Sequence, residues 1–327
     1  MLENNKSNAS ESQKSRKLPL IAFRLVVAGI ILLILFSKIP IPKVVSAIGQ
    51  TNFLYVFAAF FMAFLTHVGA SFRLKKLCEL QTIKLSTFEI FEINTSSRFY
   101  GLFLPGGNFT AIAIRFYRLS VFKKKYTEAL FAMFCDRIFA TITLCMTGIF
   151  LWLIELPQKT EYYFELMIIA LVGLLIILIL IAIIKPVSVL SSLMRWTGRL
   201  KLGKICQLIG PTEYQPQLPS GTISALFLFS CILHIFGIIS YHLISAAMGL
   251  NLSFVSIGWI RSTVILATMI PVSISGIGLR EGVIVILLGI YNIPADEALA
   301  FSFIIFSVTV LGIGIIGGIF EATRLLK

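Results

Sequence analysis

VVSAIGQTNFLYVFAAFFMAFLTHVGASF, residues 44–72, contains no Asp, Glu, Lys or Arg. A helix needs about 20 apolar residues to cross a bilayer, and this run exceeds that without interruption. It sits in a chain of 327 residues that is 57% hydrophobic and 13% charged, with a mean hydropathy of +0.94. Soluble domains carry about 25% charged residues, so the polar surface here is too small to cover a water-exposed globule. A soluble enzyme, a secreted disulfide scaffold and a disordered protein are excluded. The expected fold is an all-α polytopic membrane protein.

Five more stretches read as crossings. Leu18 to Ile39 is apolar and long for a signal peptide, and its exit, Pro40-Ile41-Pro42-Lys43, lacks a small-residue cleavage site. Tyr126 to Ile154 carries Asp136 and Arg137 within it, and Leu166 to Ile184 is apolar throughout. Residues 222–248 and Ala298 to Phe320 complete a set of six membrane-spanning helices. Residues 1–17 are polar and read as a disordered cytosolic tail. Residues 18–327 then form a single transmembrane domain.

Two further apolar regions, 86–122 and 254–291, are broken in the middle. The first breaks at Leu104-Pro105-Gly106-Gly107-Asn108 and the second between Ile270-Pro271 and Gly278. Proline ends a helix and glycine permits a turn, so both read as re-entrant or broken helical hairpins. Loop charge supports this layout. With a cytosolic N-terminus and each hairpin returning to its own side, eighteen basic residues fall on the cytosolic side, Arg73 among them, and three outside. That asymmetry is the positive-inside pattern, and it puts both termini in the cytosol of a cell inner (cytoplasmic) membrane. The hairpins enter from opposite sides, which is the plan of an inverted repeat around a midplane site.

Of the 28 basic residues, seven arginines belong to neither set of loops: Arg24, Arg98, Arg115, Arg118, Arg137, Arg261 and Arg280. A charge in the bilayer core costs roughly 2.5–3.5 kcal/mol on insertion scales. Arg24 and Arg118 lie near interfaces, where snorkelling accounts for them. For the rest the deep acids are Asp136 and Glu281, too few to neutralise five arginines. An anionic ligand is the expected counter-charge.

Several residues could shape that site. Ser86-Thr87-Phe88-Glu89 is a capping box, and the helix it opens carries Asn94, Ser97, Arg98 and Gly101 on one stripe. Asn108 can cap the second helix of the first hairpin, ahead of Arg115. In the second hairpin Ser275, Gly276 and Gly278 precede a helix that opens with Arg280-Glu281. Half-helix N-termini of this kind offer free N–H groups to anions. The expected substrate-binding residues are Asn94, Arg98, Asn108, Arg115, Arg261, Ser275, Gly276, Gly278 and Arg280. Adjacent Asp136 and Arg137 point about 100° apart and must find partners on other helices; with Glu281 they are expected to gate or to form ion pairs.

Other chemistry is thinly represented. The five cysteines, Cys78, Cys135, Cys145, Cys206 and Cys231, have neither metal nor redox spacing. His234 and His242 lack acidic companions and read as packing or hydrogen-bonding groups, and His67 carries no signal. No glycine-rich loop with Lys-Ser/Thr is present, so no nucleotide, metal or other cofactor is expected.

The pattern resembles the flippase-like transmembrane domain of bacterial lysylphosphatidylglycerol synthases. The matching residues are Arg73, then Asn94 leading to Pro105-Gly106-Gly107 and Arg115, then Asp136-Arg137. The most specific element is Pro271-Val272-Ser273-Ile274-Ser275-Gly276-Ile277-Gly278-Leu279-Arg280-Glu281, followed by Ala298-Leu299-Ala300. The resemblance implies translocation of an anionic or aminoacylated phospholipid, or of a polyprenyl-phosphate-linked sugar, between leaflets. It does not extend to aminoacyl transfer, for which no catalytic domain is seen, so a transporter and not an enzyme is expected. The alternatives are an integral-membrane transferase on lipid-linked substrates, with Glu89 and Glu92 as its acids, and a small-anion transporter. Expected partners are a membrane phospholipid or lipid-linked sugar, an enzyme that makes the lipid, and a second copy of the chain; nucleic acid is not among them.

Overall fold

The computed structural model describes residues 41–104, 107–121, 125–155, 219–270 and 276–326. The expected tail (1–17), the crossings at 18–39 and 166–184, the turn residues Pro105 and Gly106, and Pro271 to Ser275 lie outside the described residues. What is described is helical, with no strand among the described residues. In chain order the helices are α1 (Ile41–Gly49), α2 (Phe53–Leu80), α3 (Thr87–Phe103), α4 (Asn108–Val121) and α5 (Tyr126–Glu155). They continue as α6 (Ser220–Ala247), α7 (Phe254–Met269), α8 (Leu279–Gly289) and α9 (Ala295–Phe306), then a π-helical turn (Ser307–Leu311) and α10 (Gly312–Leu325).

Four segments are long and apolar enough to cross a bilayer: Phe53–Leu80, Tyr126–Glu155, Gly221–Ala247 and Ala295–Arg324. At 1.5 Å per residue each is about 40–45 Å long, more than the ~30 Å hydrocarbon core. The chain is thus a multi-pass membrane protein. The charge-free run 44–72 is not one span, however. It splits at Gln50-Thr51-Asn52, where Thr51 Oγ1 donates to Ala47 O (3.0 Å) and Asn52 Oδ1 caps α2 by accepting from Leu54 N (3.0 Å). Short polar side chains that bond to nearby backbone favour such breaks. The span instead continues past Phe72 to Leu80, which draws Arg73 inside the protein.

The hairpin helices are shorter. α3, α4, α7 and α8 hold 17, 14, 16 and 11 residues, or about 17–25 Å, and none reaches across the core by itself. The expected capping box starts α3: Ser86 Oγ accepts from Glu89 N (3.2 Å) and Glu89 Oε2 accepts from Ser86 N (2.6 Å). Asn108 is the first residue of α4 and exposed, not its cap; Gly107 precedes it with φ +55°.

Two apolar clusters mark the two ends of the molecule. One joins Leu77 of α2, Ile90 of α3, Leu119 of α4, Ala129 of α5 and Leu226 of α6. The other joins Ala59 of α2, Ile244 of α6, Ile257 of α7, Leu287 of α8 and Ala298 of α9. The hairpin α3–α4 is therefore rooted at one end and the hairpin α7–α8 at the other.

Packing between the halves is reciprocal. α2 and α6 lie antiparallel: Ser240 Oγ donates to Ala59 O (2.8 Å) near one end, and Arg73 Nη1 donates to Ser230 Oγ (3.0 Å) toward the other. α3 lies on α10, where Phe320 meets the edges of Phe88 and Phe91 with centroids 5.5 and 6.1 Å away. α7 lies on α5, with Gly148 against Ser262 and Leu151 against Gly258. The span that follows each hairpin thus supports the other hairpin.

Candidate functional site

The buried charges sort into those with a partner and those without. On α2, Arg73 is buried and its Nε donates to Asp136 Oδ1 of α5 at 2.8 Å, while Nη1 reaches Ser230 of α6. Asp136 is 9% exposed, so this ion pair ties three spans together away from water. Arg137, one residue on, is exposed, as expected for neighbours that diverge around a helix. Sequence alone had placed Arg73 among the cytosolic loop charges; the extension of α2 to Leu80 makes it the partner of Asp136.

Arg280 and Glu281 pair with each other, although adjacent in sequence. Arg280 Nη2 and Nε donate to Glu281 Oε1 at 2.5 and 3.1 Å, and the guanidinium lies 4.4 Å from the Phe306 ring centroid. Glu281 Oε2 accepts from Gly278 N at 2.6 Å, closing the first turn of α8. Gly278 has φ +85° and Gly276 φ +78°, a conformation side chains resist. The carboxylate thus occupies backbone N–H that an anion would otherwise approach. Arg280 therefore has its charge already matched. Ser275 lies outside the described residues.

Arg118 also has a partner. Its Nη2 donates to Glu321 Oε2 of α10 at 2.7 Å, Nη1 stands 2.7 Å from Oε1, and Tyr100 OH donates to the same carboxylate at 2.7 Å. Snorkelling to the interface is therefore not its role.

Arg98, Arg115 and Arg261 remain, and none forms an ion pair among the described residues. Arg261, on α7, is 6% exposed, and its Nε and Nη1 have no hydrogen-bond acceptor among the described residues. It lies under the Tyr241 ring at 5.7 Å and flat against Gly237 of α6, where a Cβ would collide with the guanidinium. Arg115 is half-buried, and its buried Nε atom is likewise without an acceptor among the described residues. A buried charge that is left unpaired costs several kcal/mol; Arg261 is such a charge, and half-buried Arg98 and Arg115 add to it without a carboxylate among the described residues, an arrangement suited to an anionic ligand.

His67 links them. It lies midway along α2, and the charges of Arg98, Arg115 and Arg261 all act on its ring, which sits against Thr309 in the π-helical turn. Single π-turns of this kind recur at functional sites. Asn94 Nδ2 donates to Ser71 Oγ at 2.9 Å one turn along α2, and its buried Oδ1 has no donor among the described residues. Arg115 is also within electrostatic range of Asp136 and Arg137. Arg98, Arg115 and Arg261 thus lie within electrostatic range of the middle of α2, where Asn94 bonds to Ser71 one turn from His67, a residue with no sequence signal. Asn108 and Gly276 lie at the hairpin tips. His234 Nε2 is 3.0 Å from Ala140 O and from Thr143 Oγ1, which makes it a link between α6 and α5.

Among curated proteins no relative matches the chain. A family profile described as the lysylphosphatidylglycerol synthase TM region matches residues 21–317. That interval contains both hairpins, all four described spans down to Gly317, and each of the unpaired arginines. The chain is a member of the lysylphosphatidylglycerol synthase transmembrane family.

Proposed function

We propose that the protein moves an anionic or aminoacylated phospholipid, or a polyprenyl-phosphate-linked sugar, between the leaflets of the inner membrane. The observation that carries this reading is the set of three interior arginines, Arg98, Arg115 and Arg261, with no carboxylate partner among the described residues. Phosphate matches guanidinium donors in charge and geometry, and membership of a lipid-associated family supports a lipid as its bearer. The headgroup would cross through the polar interior around His67 while its tails stay in the bilayer. Lipid translocation involves no covalent step, so the protein acts as a transporter and not as an enzyme. Glu89, one of the two acids a transferase would use, is engaged in capping α3.

The architecture supports alternating access. Exchanging α2–α5 with α6–α10 preserves the packing described above: α2 on α6, α3 on α10 as α7 on α5, and the two hairpins rooted at opposite ends. This packing supports the inverted-repeat plan, which six spans and two cytosolic termini would complete. An enzyme that makes the lipid and a second copy of the chain are the partners this role suggests. The test is reconstitution into liposomes holding a fluorescent anionic phospholipid in one leaflet. Wild-type protein should move it, and Arg261→Ala and Arg98→Ala should each slow it at least tenfold. If wild type moves no anionic lipid but carries inorganic phosphate, the small-anion alternative takes its place.

A further inference from the structure

We infer that Glu155 and Glu321 are paired latches, one at each end of the protein, which close the two hairpins in turn; the inference rests on the transport reading above. Each carboxylate stands at the last turn of a span that follows one hairpin, and each grips the other hairpin. Glu321, near the end of α10, holds α3 through Tyr100 and α4 through Arg118. Glu155, the last residue of α5, accepts from Ser256 Oγ at 2.6 Å and from Trp259 Nε1 on α7, and from Tyr291 OH just beyond α8 at 2.8 Å. The exchange of α2–α5 with α6–α10 matches the clusters element for element, α5 with α10 and α7 with α3, although Ser256 and Trp259 stand early in α7 and Tyr100 late in α3. Both are tripods in which a single carboxylate ties two arms of a hairpin to the end of a span. They sit at opposite ends, because Trp259 belongs to the apolar cluster at one end, while Phe320, beside Glu321, packs on Phe91 near Ile90 of the other.

A carrier of this plan exposes its interior at one end at a time, and each latch lies where such an opening would form. Releasing Glu321 frees α3 from α10, and releasing Glu155 frees α7 from α5. The donors differ. Glu321 holds a cation, whereas Glu155 holds three neutral groups and has no basic partner among the described residues. An ionised carboxylate makes all of these contacts charge-assisted, but only Glu321 faces a full positive charge, through two contacts with Arg118; the Glu155 end is therefore the one expected to open first.

Two interface positions report the openings. Ser96 on α3 faces the Gly317 carbonyl of α10, and Ser262 on α7 faces Gly148 of α5; both are buried. Each would be changed to cysteine in a full-length chain whose native cysteines are alanine, and labelled in membranes with an impermeant maleimide from either side. Glu321→Gln should raise labelling of Ser96→Cys roughly tenfold from its own end, the order expected when a charge-assisted hydrogen bond is lost, and leave Ser262→Cys unchanged. Glu155→Gln should do the reverse. Exchanging the charges, Arg118→Glu with Glu321→Arg, should restore low labelling at Ser96→Cys. Unchanged labelling in both variants, or a joint rise at both positions, would overturn the inference. Labelling needs no substrate, so a failure to move lipid would count against translocation and leave the latches standing.

Discussion

Replacing Asp136 by asparagine removes one negative charge and almost no volume, yet it should be among the most damaging single changes in this protein. Asp136 Oδ1 receives Arg73 Nε at 2.8 Å in a buried pair, and the charges of Arg73, Asp136 and Arg137 all act on Arg115. At that separation an effective dielectric of 20 gives a Coulomb attraction of about 6 kcal/mol before desolvation is subtracted. Measured losses on breaking a buried pair are about 3–5 kcal/mol. Arg73 retains Ser230, which favours the lower part of that range. Asp136→Asn should therefore lower the apparent melting temperature in detergent by on the order of 10 °C, read as loss of the monodisperse peak after heating. The double replacement Arg73→Met with Asp136→Leu removes both charges and should melt higher than either single variant, because neither member of the pair is left as a lone buried charge. If Asp136→Asn melts with wild type, or the double variant is worse than the two singles combined, the pair is not the brace described here.

Gly237→Ala should leave expression and melting near wild type while abolishing lipid movement, since the new Cβ collides with the Arg261 guanidinium and not with backbone; equal loss of stability and transport would contradict this. Glu281→Ala removes the partner of Arg280 and the acceptor of Gly278 N–H, and should cost about 3–5 kcal/mol, seen as a melting shift that Glu281→Gln only partly avoids. The Ser86 N–H and hydroxyl hold the Glu89 carboxyl below the usual carboxylate range. Its capping contribution is therefore fully present above the unfolded value near 4.3 and is lost as pH falls through the lower folded value. Deuterium exchange of peptides covering 86–93, corrected for intrinsic rates, should show protection collapsing in acid for wild type and no such step for Glu89→Gln.

Much of the architecture follows from one-dimensional features. Charge-free runs locate spans, Pro-Gly breaks locate hairpins, and Ser86 with Glu89 marks the start of α3 because a cap is a local device. The first described span was misplaced because hydropathy is blind to the Asn52 cap, which shifts its start to Phe53. That shift hid Arg73, and with it the partner of Asp136. Glu155 and Glu321 were invisible for a related reason: each looks like an interfacial acid until helices more than 100 residues away bring Trp259 or Tyr100 to it. His67 offered no pattern at all, since its importance comes from three arginines on three other helices. Sequence marked which charges are costly; only packing distinguishes Arg280, which Glu281 matches, from Arg261, which no carboxylate among the described residues matches.

The closeness of α3 to α10 also bears on how the protein is made. A Cβ at Gly317 would strike the backbone of Thr95 and Ser96, so the two helices meet main chain to main chain. More than 200 residues of synthesis separate them. The first hairpin, with Arg98 and Arg115, enters the membrane long before its supporting surface leaves the ribosome. The early half must wait, incompletely packed, until the last helix inserts and closes the fold. A chain truncated within α10 would lose the seat of a hairpin at the opposite end of its own sequence.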